Sequence, residues 1–280
     1  MLLSQAADTL ELADTLSSKS EGSNWILHHV MDSNYIDFEP IGVINLPHIE
    51  LFGFDISITK HVVFMWIVAI ILIILSLIVS RKYKKSLIPK GFTNLFEIII
   101  LFVRDEIVKP TIGKGYEKFL PYLLTIFFFI LLSNLFGLLP YSATVTSNIA
   151  VTAALAGLTF ITTQMGGIIS HGFFGYFKGL IPHGMPIFIL PLIIVVEILS
   201  LFTKPFALCI RLFANMIAGH VVILSLIGLI FIMQTIFVAP VSIAFVLFIY
   251  LLEILVALIQ AYIFTMLSSL FIGMAVNLEH

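Results

Sequence analysis

Apolar positions along this chain come in blocks longer than soluble helices or strands require. The first, His61–Ser80 (HVVFMWIVAIILIILSLIVS), is followed by the basic cluster RKYKK from Arg81. At about 1.5 Å per residue a helix of this length crosses a hydrocarbon core of roughly 30 Å. Phe92–Val108 mixes apolar positions with Asn94, Glu97, Arg104, Asp105 and Glu106. Too polar to span, it predicts an amphipathic helix at the interface, ended by Pro110 and Gly113. Phe119–Pro140 predicts a second crossing and Asn148–Ser170 a third, joined by the uncharged loop YSATVTS. The third is rich in Ala, Gly and Thr, which lets neighbouring helices come close. Thr162, Thr163 and Gln164 on it, and Asn134 on the second, predict helix-to-helix hydrogen bonds. His171–Pro186 is punctuated by Gly and Pro and reads as a loop too broken to be a helix.

Two longer blocks follow, Ile187–Met233 and Ile236–Met274. As continuous helices they would measure about 70 and 58 Å, so neither can stand upright in a core of about 30 Å. No polar interruption long enough for a loop splits either block. The pattern therefore predicts a long, steeply tilted hairpin that turns near residues 235–236, with Pro205, Gly219 and Gly228 able to bend its first arm. The fold class that follows is an all-α integral membrane protein: three roughly upright transmembrane helices, an amphipathic interfacial helix and the tilted C-terminal helical hairpin. Residues 58–280 form the membrane domain, with the hairpin at 187–274, and residues 1–57 form a polar, acidic N-terminal region.

Composition agrees, with 60% hydrophobic residues, 11% charged residues and a mean hydropathy of +1.14, outside the range of soluble domains. Charge adds orientation. Residues 1–57 carry nine acidic side chains and one basic, Lys19, whereas residues 81–118 carry nine Lys/Arg against four acids. Basic loops stay in the cytoplasm, so the N-terminus is expected outside and the C-terminus inside. The start, MLLSQAADTLELADTL, lacks a basic leader and a long apolar core, so an uncleaved, translocated tail is expected. The lone Cys209 excludes an internal disulfide framework. Neither the adjacent His28–His29 nor His171 and His183 supply enough convergent ligands for a metal centre. No cofactor is expected, and nucleic acid is not an expected partner.

Within the hairpin the polar residues are few and periodic. Glu197, Ser200, Lys204, Arg211 and Asn215 are separated by 3, 4, 7 and 4 residues, a stripe on one helix face. A guanidinium at mid-bilayer depth costs between about 2.5 and 17 kcal/mol, so Arg211 is expected to face protein or a water-filled path rather than snorkel to a headgroup. His220 is nine residues further on, about 180° round the helix from Arg211. On the second arm Glu253 and Gln260 share a face. Folding the arms antiparallel about the turn brings Arg211 level with Gln260, and His220 level with Glu253 nearer the turn. An imidazole and a buried carboxylate can exchange protons, so this pair predicts a relay rather than a static bond pinning the helices.

These residues carry a resemblance. FVRDEIVKP, SNLFGLLPY, SLFTKPFALCIRLFANMIAGH and LEILVALIQAYIFTMLSSLFI resemble segments of subunit a of the F-type ATP synthase, over most of residues 45–278. The resemblance implies that Arg211 faces the passing carboxylate of a rotating c-ring and bars protons from leaking between two half-channels. Asn215 and Gln260 lie beside it, and Glu197 and Ser200 belong to the cytoplasmic path. His220 and Glu253 form the outer pair, with acid and imidazole exchanged between the arms relative to some relatives. It further implies a c-ring of small hairpin subunits, peripheral-stalk b subunits and, through the complex, the F1 catalytic head as partners in a bacterial inner membrane. The chain itself would be a non-catalytic channel subunit, in keeping with the lack of a GxxxxGK[ST] loop. A self-contained proton-coupled secondary transporter is the alternative, but no internal repeat of the kind such folds show is visible. A membrane metalloenzyme would need clustered histidine boxes, and there are none.

Overall fold

The computed structural model describes residues 57–85, 91–139, 144–179, 190–233 and 238–277, preceded by Pro47 and four short strands. Strands β1 (Tyr35–Phe38) and β2 (Gly42–Asn45) pair antiparallel with Tyr35 opposite Asn45 and Phe38 opposite Gly42. Strands β3 (Glu50–Leu51) and β4 (Phe54–Asp55) form a second antiparallel ladder. Among the described residues from Lys60 onward, the regular elements are all helices. The His28–His29 pair, His183 and the turn at 235–236 lie outside the described residues.

Helix α1 (Lys60–Lys85) is the first apolar block. It continues through Arg81–Lys85, so the basic cluster marks a membrane boundary and not a helix end. Next come α2 (Phe92–Phe102), a π-helical turn at Val103–Val108, and α3 (Lys109–Ile112). Pro110 does not end this segment as the pattern predicted. It sits at the start of α3, just after the wider π turn, where its missing N–H and bulky ring are accommodated. The stop is Gly113, at φ 70°. Arg104 and Asp105 form a bidentate pair at 2.9 and 2.8 Å on the exposed side of the π turn.

Helix α4 (Leu120–Gly137) opens with Pro121 in its first turn. Helix α5 (Ile149–His171) is capped by Asn148, whose Oδ1 accepts the Ala150 N–H at 2.9 Å, and stops at Gly172, at φ 72°. The segment after it is not wholly a loop: Phe173–Gly179 forms a short helix, α6. Glycines at 175 and 179 lower helix propensity without forbidding a turn or two, and Tyr176 supplies the apolar anchor. Helices α7 (Leu190–Met233) and α8 (Val238–Val276) are each unbroken, α7 with Pro205 inside it. Five helices, α1, α4, α5, α7 and α8, are long and apolar enough to cross a membrane. The chain is a multi-pass membrane protein.

Two compact units share these helices. One draws on α1 to α6, α7 as far as Asn215 and α8 from Ile254; the other comprises the strands and Met216–Glu253. The first has a core centred on Ile107, Ile112, Leu123, Ile130, Leu212 and Phe264. The interfacial segment is therefore anchored into the bundle, and Phe96 stacks on Phe128 with centroids 4.8 Å apart. Polar groups inside are tied across helices. Tyr122 donates to Thr159 at 3.2 Å, Thr159 meets Ser268 at 3.4 Å, and Thr146 donates to Asn134 Oδ1 at 2.6 Å. Asn134 thus bonds the short turn Val145–Ser147 rather than another spanning helix as predicted, whereas Thr162 reaches Tyr122 on α4; Thr162 and Thr163 also return their hydroxyls to carbonyls of their own helix, Leu158 and Thr159. Threonine in a helix reaches the i−4 carbonyl more readily than a neighbouring helix.

The closest backbone approach is at Gly273, where an added Cβ would fall on the Thr111 carbonyl oxygen; Thr111 also hydrogen-bonds Ser269, and Asn277 Nδ2 donates to the Ile112 carbonyl. Gly273→Ala must displace backbone rather than a flexible side-chain tip. It is expected to destabilise the protein by about 1 to 3 kcal/mol, read as a lower thermal-unfolding midpoint in detergent.

Candidate functional site

In α7, Leu208 and Leu212 are buried and fix the helix face turned to the bundle. With about 100° between successive residues, Arg211 is thereby turned outward and is exposed. Among the described residues no hydrogen bond or ion pair to Arg211 occurs. One turn further on, Asn215 Nδ2 donates to Gln260 Oε1 at 2.8 Å. Gln260 is only 2% exposed and lies between Ala257 and Ala261, both fully buried, whose small side chains let α8 come close to its neighbours. The antiparallel register inferred from the sequence put Arg211 level with Gln260. The structure instead joins Gln260 to Asn215, one turn along, and leaves the guanidinium uncovered. A one-turn offset lies within what a turn position read from sequence can fix. Cys209, buried beside Thr152 at 3.4 Å, packs as a small core residue.

Towards the start of α7 lies a cavity of about 160 Å³. Glu197, Leu201 and Lys204 form its α7 wall, Gln164 its α5 wall, Phe271 its α8 wall, and Tyr176 of α6 closes it. Lys204 Nζ is 5.7 Å from the Phe271 ring centroid, within cation–π range. Glu197 is half-buried at this cavity. Ser200 is half-buried too but is not part of the lining; its backbone carbonyl accepts from Thr203 at 3.2 Å. The cavity thus joins Glu197 to Lys204 of the polar stripe, whereas the resemblance grouped Glu197 with Ser200.

In the unit containing Met216–Glu253, Glu253 is 7% exposed and its carboxyl group presses on Gly219, where a Cβ would overlap Oε1. Its Oε2 is buried with no hydrogen-bond partner among the described residues. His220, half-buried, follows Gly219 directly. A buried carboxyl oxygen left unsatisfied costs free energy, and native proteins keep such groups mainly where they act.

Sequence reasoning therefore picked out the polar residues of the hairpin but not those that make room for them. Gly219 was read only as a bend, and Tyr176 was not singled out because the Gly-rich segment around it read as loop. Small residues one position from a charged one were the available signal for Gly219. For Tyr176 there was none, because its partners Gly167 and Gln164 lie on another helix.

Comparison with known proteins finds relatives over most of the chain. The family described as ATP synthase A chain matches residues 62–273. A protein of Chloroherpeton thalassium named ATP synthase subunit a is 57% identical over 256 residues, covering 90% of this chain and 77% of its own. The similarly named protein of Chlorobium phaeobacteroides is 54% identical over 89% of this chain and 74% of its own. That of Myxococcus xanthus is 50% identical over 81% and 75%.

The Gly219–Glu253 contact makes a stability prediction. Gly219→Ala is expected to lower stability by about 1 to 3 kcal/mol, seen as a reduced unfolding midpoint. Shortening the acid with Glu253→Asp in the same chain should recover part of the loss.

Proposed function

The chain belongs to the family of ATP synthase subunit a, the membrane-sector subunit of the F-type enzyme, and on that footing we propose that it is the stator half of a proton-driven rotary motor. In this reading it offers two half-channels to a ring of small hairpin subunits, with Arg211 between them. The observation that carries the reading is the outward-facing Arg211 set one turn from the Asn215–Gln260 bond. A guanidinium on an apolar helix face cannot be left against acyl chains without a cost of several kcal/mol, about 2.5 or more. That face calls for a protein partner bearing an acid.

The mechanism follows from charge in a low dielectric. A rotor carboxylate facing lipid is protonated, because a bare charge there is too costly. Brought beside Arg211 it loses its proton, since a neighbouring cation favours the charged form. The Asn215–Gln260 bond holds two amides near the guanidinium, and these are uncharged groups that solvate the departing ion without competing for its charge. Protons reach the ring through His220, an imidazole that can both take up and release a proton, and Glu253, buried with one oxygen unsatisfied among the described residues. They leave past Glu197 and its cavity, with Ser200 nearby on the same face. Arg211 bars direct passage from one path to the other. Each elementary charge moved through 100 mV supplies about 2.3 kcal/mol, and rotation is biased accordingly.

The excess of basic residues at 81–118 over the acidic first 57 positions supports an N-terminus outside and a C-terminus in the cytoplasm of a bacterial inner membrane. The lengths of the apolar helices support 58–280 as the membrane domain, with the two long ones tilted. The c-ring, the peripheral-stalk b subunits and the F1 head are the partners this assignment brings with it.

Arg211→Ala in the assembled complex is expected to abolish ATP-driven proton pumping into vesicles; coupled pumping at the normal rate would refute the arginine barrier. Glu253→Gln is expected to slow passive proton flux through membranes stripped of F1 by about a hundredfold, the low end of what a positioned acid or base contributes. An unchanged flux would remove Glu253 from the path.

A further inference from the structure

The cavity at Glu197 has a wall that the proton path as described does not use. Tyr176 is 2% exposed although it belongs to a seven-residue helix that the sequence reads as loop. Its ring occupies a slot opened by Gly167 on α5, where a Cβ would overlap the ring carbons. Three further features fix it. Its N–H bonds the Gly172 carbonyl at 2.9 Å. The Gln164 side chain hydrogen-bonds its hydroxyl. Just before α6, His171 Nε2 meets the Val276 carbonyl at 2.8 Å, tying the end of α5 to the end of α8. A bulky phenol seated this firmly, with its polar end at a cavity that also holds Glu197, is built to present a hydroxyl.

Resting on the half-channel reading above, we propose that Tyr176 is a positioning residue of the proton exit, whose hydroxyl, aligned by Gln164, holds the Glu197 carboxylate and its water in the conducting arrangement. Burial pushes the Tyr176 hydroxyl up from its ordinary value; the Gln164 hydrogen bond opposes this, and the Glu197 charge adds to it. The phenol therefore keeps its proton at neutral pH and has one to donate. Among the described lining residues the titratable groups facing the cavity are Tyr176, Glu197 and Lys204. Lys204 lies against Phe271, and His171 is engaged at the Val276 carbonyl. The hydroxyl is thus a neutral donor between a carboxylate and an amide, a role that Lys204 cannot fill without adding a charge.

Tyr176→Phe keeps the ring in its slot and removes only the hydroxyl. In vesicles carrying the complex stripped of F1, it is expected to lower passive proton flux about threefold to tenfold and to move the pH of half-maximal flux upward by about half to one unit, the scale of one net hydrogen bond. The direction follows because losing a donor removes stabilisation of the charged carboxylate. Mere packing by Tyr176 would leave the pH profile in place. Glu197→Gln is measured beside it. If Glu197→Gln slows flux and Tyr176→Phe leaves both rate and profile unchanged, the positioning role is refuted while the half-channel stands. If Glu197→Gln itself leaves flux unchanged, the half-channel reading fails and this inference with it. Should Tyr176→Phe not assemble, Gln164→Met removes the aligning amide instead. The same upward shift is then expected, and an unshifted profile overturns the proposal.

Discussion

The structure depends on one constraint: inside a bilayer there is no water to satisfy a polar group, so each must find a partner in the protein or be there to act. Most of the buried polar side chains here obey the first alternative. Thr159 links Tyr122 and Ser268, Asn134 takes the Thr146 hydroxyl, and Gln260 takes the Asn215 amide. Arg211 and Glu253 do not. The first is exposed on an apolar helix, and the second is buried with one oxygen unsatisfied among the described residues. Thr93, Ser133 and Thr265 also bury a hydroxyl without a partner among the described residues, but Arg211 and Glu253 are the ionisable side chains among the exceptions, and on them the proposed motor turns.

Glycine is the means by which large groups are fitted among close-packed helices. Gly167 opens a slot for the Tyr176 ring, Gly219 receives the Glu253 carboxyl and Gly273 lies on the Thr111 carbonyl. None of the three has a positive φ, so none is required by backbone conformation. What each supplies is the absence of a Cβ. Without a hydrophobic drive between helices in lipid, close van der Waals approach of this kind contributes much of the association energy. The same device thus stabilises the bundle at Gly273 and admits functional groups at Gly167 and Gly219.

The interfacial segment shows how stability and site are connected. The π turn at Val103–Val108 sends Val103, Ile107 and Val108 into the core, and α3 is fastened to the end of α8 through Ser269 and Asn277. The end of α8 in turn supplies Phe271, Met274 and Ala275 to the cavity at Glu197. Anchoring that end keeps the wall opposite Glu197 in place, although no residue of the interfacial segment touches the cavity.

Much was decided by the sequence alone. Block length against membrane thickness required spanning helices, the basic cluster at the end of α1 marked a boundary, and the spacing of Glu197, Lys204, Arg211 and Asn215 put them on one face, because helical period and bilayer depth are local properties of the chain. The stop at Gly113 was legible for the same reason. What the tertiary structure decided was which groups meet. That Gln260 bonds Asn215 and not the arginine depends on register between helices, which shifts by a turn with small changes in a connecting segment. That Pro110 sits inside a helix depends on a π turn absorbing it. That Phe173–Gly179 is helical, with Tyr176 at the Glu197 cavity, depends on a slot at Gly167 on another helix. Such contacts join residues far apart in the chain through space left empty, and an empty space has no signature in a sequence.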